Sequence, residues 1–178
     1  MNIKKLFILF SIILFVHTIK AQINTGINGI IVLPVPENKT TVSEISCGAG
    51  GVYYLGYTLK ERLDINFEYS YLFIYSTIIY QYRISSISSN LKFFLSKKSL
   101  RPFLNFGAGY YFKRFDQPFT DKDYKERSFG IKPSIGILSE TNRYKNLFIN
   151  SSISYIRTFN EYPIELFSFN LGFIYYFE

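Results

Sequence analysis

The 178-residue chain has no tryptophan, one cysteine, one methionine and one histidine, and each scarcity excludes something. The histidine is His17, inside an N-terminal apolar segment, so the rest of the chain has no imidazole. A serine or water that must lose its proton near neutral pH usually relies on that base. Hydrolases built on a Ser–His pair are therefore excluded. Cys47 alone cannot form an internal disulfide, and without histidine or clustered cysteine the grounds for a metal site are thin. The carboxylate pairs Asp121/Asp123 and Glu161/Glu165 fall in polar connections or at a strand start, as a solvated face would have them. The composition calls for no cofactor and no enzymatic activity.

A long apolar run is also missing. Leu6 to Val16 is nearly continuous, but a membrane-spanning helix needs about 20 apolar residues. With Lys4 and Lys5 before it and Ala21 as a small residue before Gln22, residues 1–21 read as a secretory signal peptide, leaving 22–178 as one domain. Residues 1–21 hold three lysines and no acid, so the remainder carries 17 basic against 13 acidic residues. That excess is small and scattered, unlike a nucleic-acid-binding stripe.

What is abundant is phenylalanine and tyrosine, 20% of the chain and strand-favouring. In RPFLNFGAGYYFKRF (101–115), Leu104, Phe106, Ala108, Tyr110 and Phe112 share one phase. Asn105, Gly107, Gly109, Tyr111 and Lys113 share the other. The same period of two runs through 61–75, 127–140, 145–159 and 164–178, and less sharply through 23–33, 45–59 and 82–95. Eight strands follow, with no convincing amphipathic helix. Residues 34–44 and 114–127 form long polar connections, while those near Lys60-Glu61 and at 96–100 are short. This pattern predicts an all-β, eight-stranded antiparallel up-and-down transmembrane β-barrel.

Alternation alone does not say which face is outside; residue size does. The polar phase carries Gly48, Gly50, Gly107, Gly109, Gly130, Gly136 and Gly172 with many serines and asparagines. An eight-stranded barrel has an interior just wide enough for side chains to fill. Small residues suit that interior, and the crowd of rings suits lipid. Tyr57, Tyr75, Tyr110 and Tyr155 are candidate interfacial tyrosines, and the outward-phase Arg114 and Arg157 sit at strand ends where they can snorkel. Cys47 falls on the outward phase. The glycine-rich Cys47–Gly51 lacks the lysine and helix of a phosphate loop. Pro133, in mid-strand, calls for a bulge.

Between residues 87 and 112 the chain resembles a family. Ile87, Leu91, Lys92, Phe93 and Phe94, followed by Arg101-Pro102-Phe103 and the Gly107-x-Gly109 step, are similar to the small outer-membrane β-barrel proteins of Bacteroidetes-type bacteria, including PorT-like proteins. Ser88 stands where that family has proline. The resemblance implies a Gram-negative outer membrane, contact with its lipid, and a possible role as an accessory of a secretion machine.

Three lumen-phase charges lie well inside strands: Glu68, Lys92 and Lys132. An unpaired charge in a narrow lumen is costly, so Glu68 is expected to anchor a polar plug with one or both lysines. The reading is a structural or interaction barrel, with termini and short turns in the periplasm and loops 34–44 and 114–127 as contact surfaces for a protein partner. It has no role in binding nucleic acid. The alternatives are a secretion accessory, a small-solute pore and a soluble periplasmic lipid-binding barrel with its faces reversed.

Overall fold

The computed structural model describes residues 21–35, 45–59, 62–76, 81–116, 124–141, 143–160 and 163–177. They form β1 (Ala21–Pro34), β2 (Ile45–Leu59), β3 (Leu63–Ser76), β4 (Gln81–Phe94), β5 (Leu100–Asp116), β6 (Tyr124–Glu140), β7 (Leu147–Phe159) and β8 (Glu165–Tyr176). Every strand pairs antiparallel with its chain neighbour, and β1 closes on β8 from Asn24↔Tyr176 to Pro34↔Leu166. Closure leaves no edge, so every strand pairs on both sides, as a wall in lipid requires.

The alternation read from the sequence becomes an inside and an outside. Ile27 and Leu171 are each 64% exposed and Ile135 is 60%, while Asn24, Asp64 and Ser168 are fully buried. Large apolar groups face out and polar groups face in, so the soluble barrel with reversed faces is not what forms. Glycine placement states the same thing sterically. A Cβ on inward Gly50 would run into the carbonyl oxygen of Tyr71 and lie 2.9 Å from Leu72 Cα, whereas on outward Gly51 its nearest contact is 3.9 Å away. Gly50→Ala should therefore lower the urea midpoint sharply, by roughly 1–3 kcal/mol of overpacking. Gly51→Ala, one residue on, should leave that midpoint unchanged or higher.

Pro133 does not produce a bulge. Ile131 pairs with Arg157 and Ser134 with Ser154 in one unbroken register, and the two rungs between are open. On its other side Pro133 stays in register with Phe106. The missing N–H is absorbed by a local gap between β6 and β7. The register shift lies instead in β2, between Ile45 and Cys47. Cys47 is exposed, on the outward phase.

Loop 114–127 is shorter than the sequence suggests. β5 runs on through Asp116 and β6 begins at Tyr124, with Arg114 opposite Lys125 and Phe112 opposite Arg127. Its ends are wall, because the ladder continues past the last clear apolar alternation. Tyr57 and Tyr110 face outward, and the side chain of Tyr75 lies outside the described residues. Tyrosine is not confined to the rims: Tyr53 and Tyr69 are outward neighbours across β2 and β3, and Thr25 donates to the Tyr53 hydroxyl at 3.2 Å.

Candidate functional site: a filled lumen

The lumen is built in three layers. At the end bearing the chain termini, Phe94, Phe103, Leu138, Phe148, Ile174 and Tyr176 are buried, with Phe94–Phe103 and Phe148–Tyr176 in edge-to-face contact at 6.2 and 5.2 Å between centroids. At the opposite end Val32, Leu72, Ile74, Ile84, Ile164 and Leu166 are buried. Polar side chains occupy the middle and part of each end: Asn24, Thr58 and Asp64 beside the terminal layer on β1–β3, and Lys113 and Thr158 beside the other on β5 and β7. The sequence signal for the apolar layers is a local failure of alternation near strand ends, as in Leu72-Phe73-Ile74, Phe93-Phe94 and Tyr175-Tyr176. There both phases are apolar, because one faces lipid and the other caps the lumen.

Glu68, expected to pair with one or both of Lys92 and Lys132, meets one of them. Lys132 on β6 is ion-paired with Glu68 on β3, across the lumen, since β4 and β5 separate those strands in the wall. Asn90 donates to the other Glu68 oxygen at 3.4 Å. Asn105 donates to Asn90 at 3.4 Å and to Ser134 at 3.0 Å, which carries the network from β3 through β4 and β5 to β6. Lys92 does not join Glu68. Its register partner is Asp64, and its ammonium lies 4.7 Å from the Phe103 ring centroid and 5.4 Å from that of Tyr54. Asp64 is four residues, two inward steps, from Glu68, which puts Lys92 two levels nearer the aromatic layer.

Asp64 is the lumen charge that sequence reasoning passed over, being close to a strand start. The Tyr176 hydroxyl donates to it at 3.1 Å, a second tie between well-separated strands, β8 and β3. Lys113 and Glu126 form a further pair at 3.5 Å near the loop end, and Lys113 donates to Asn160 at 3.1 Å.

A cavity of about 40 Å³ lies in the lumen, bordered by Glu68, Lys92, Lys132, Asn66 and Asn105 among others. That is room for roughly two or three waters. The Asn66 and Asn105 side-chain oxygens, buried without a protein partner, are acceptors such waters would satisfy. Among the described residues no group of three or more His, Cys, Asp or Glu is placed to hold a metal ion. Asp121, Asp123 and Glu161 lie outside the described residues, and Glu165 pairs with Arg157 at 3.4 Å.

Solved structures share this architecture. Neisserial surface protein A superposes with a TM-score of 0.62 at 12% identity, over 88% of this chain and 95% of that one. This is a transmembrane outer-membrane barrel fold. The outer membrane protein OprG from Pseudomonas aeruginosa (TM-score 0.55, 9% identity, 89% and 96% coverage) and Ail, the attachment invasion locus protein of Yersinia pestis (0.54, 14%, 88% and 97%), match as well. At these identities the likeness is one of fold. No protein-family model and no curated protein matches the sequence.

Proposed function

We propose that this chain is exported by residues 1–21 into the outer membrane of a Gram-negative bacterium, where it serves as a closed structural or interaction barrel and neither catalyses nor conducts. The layered lumen carries the reading: a polar middle tied across by Glu68–Lys132 lies between two layers rich in apolar side chains, the terminal one tied to β3 by Asp64–Tyr176, and the cavity among the described residues there is about 40 Å³. A conduit needs a continuous wet path, and this interior is packed as a core is. Function then falls to the outside, to lipid and to the connections at the end opposite the termini, which on this reading face the medium. The stretch at 87–112 supports placing the chain near the PorT-like barrels, with a secretion-accessory role as the finer possibility.

The protein should fractionate with outer membranes and change gel mobility on boiling, because closed barrels resist detergent. In planar bilayers the purified barrel should show no steady conductance. Glu68→Ala should stay silent too, since both apolar caps remain. Stable wild-type channels would move the solute-pore reading to first place.

A further inference from the structure

The outer wall carries a charge pattern that the lumen does not explain. At the loop end, Arg83 on β4 is in register with Arg114 on β5, and Arg114 with Lys125 on β6, all in the outward phase. Arg127, one outward step below Lys125, lies over the ring of Tyr110 at 4.4 Å. These residues border an open groove of about 400 Å³ along β3–β6, with Tyr71 and Phe112 as its apolar side chains and the ion-paired Lys113 and Glu126 also in its lining. The pattern is one-sided: on the other flank of Arg83 the same register row continues through Phe73 on β3, Ala49 on β2 and Ile31 on β1, all outward and uncharged.

Depth decides what meets this row. Ile137, the last large apolar outward side chain of β6, and Arg127, one step below the row, share a face ten residues apart. At about 3.3 Å per residue and a tilt near 40°, the step along the membrane normal is about 25 Å, the height of the apolar band of such barrels. The row therefore lies where acyl chains end and headgroups begin. We infer that Arg83, Arg114 and Lys125, with Arg127 beneath, bind the phosphates of a phosphorylated glycolipid of the surrounding leaflet, its acyl chains lying along Tyr71 and Phe112. Arginine forks match phosphate oxygens, and several cations in one row suit a lipid bearing more than one phosphate. The inference rests on the proposed orientation only for which leaflet supplies the lipid; the binding is measured without it.

Full-length protein refolded in detergent would be incubated with bisphosphorylated lipid A or with the same lipid stripped of phosphate, and the lipid retained read by native mass spectrometry. Wild type should retain the phosphorylated form selectively, and 0.5 M NaCl should weaken that retention. Arg83→Gln/Arg114→Gln/Lys125→Gln should lower it about a hundredfold. Arg157→Gln, at a cation already paired with Glu165, should leave it unchanged. The boiling-dependent gel shift reports separately whether each protein is a closed barrel; where the triple variant lacks it, Lys125→Gln alone should show a partial loss. Equal retention of the two lipids, or variants that retain as wild type does, would overturn the inference. So would full displacement by equimolar sucrose octasulfate, which would assign the row to a soluble polyanion.

Discussion

Glu68→Ala should destabilise the barrel by about 3–5 kcal/mol, because it strands the Lys132 ammonium in the lumen without its carboxylate. The lysine side chain is 7% exposed, so only the few waters of the lumen cavity are at hand to replace the carboxylate. Lys132→Met should cost a similar amount by leaving Glu68 alone with its hydrogen bond from Asn90. The double variant Glu68→Leu/Lys132→Met should recover most of the loss, since paired buried charges exchange for apolar groups of similar volume at little cost. The coupling read from the cycle should exceed about 2 kcal/mol. Urea unfolding in lipid vesicles, followed by circular dichroism because the chain has no tryptophan, would measure it. Additive single and double effects would show that the pair ties nothing together. Lys92→Met should be milder than Lys132→Met, as rings of Tyr54, Phe94 and Phe103 already surround that side chain.

Leu171→Arg should cost about 2–4 kcal/mol and slow assembly, while Phe177→Arg should cost about 1 kcal/mol or less. Both side chains face outward, at 64% and 46% exposure. They differ in depth. Leu171 is in register with Gly29 and Ser151 at the middle of the wall, where an arginine has neither water nor headgroup within reach. Phe177 follows the last residue of β8 and can be replaced by a side chain that snorkels. The folded fraction after insertion into vesicles, read on unboiled gels, would separate the two. Equal effects would mean that the apolar face is not set against lipid in the way the exposure pattern requires.

Much of this was legible from residues alone. Period two at 101–115 and 164–178 requires strands with two environments, because Cβ atoms alternate across a strand. Residue size then orients the faces, since an eight-stranded interior has room for glycine, serine and asparagine and lipid has room for phenylalanine. Pairing across the barrel is a different matter. Sequence phase places Glu68, Lys92 and Lys132 inside, but phase carries no height. Register and closure decided that Lys132 reaches Glu68 while Lys92 faces Asp64 beneath a set of rings. The apolar caps were hidden for a related reason: Phe94 and Phe103 belong to two strands and become one layer only once β4 and β5 are aligned. The cation row needed the same step. Arg83, Arg114 and Lys125 are far apart in the chain and interrupt different patterns, and only the ladders of β4, β5 and β6 bring them side by side. Local alternation is a property of the chain and survives without its partners. Height, and therefore who meets whom, is a property of the closed barrel.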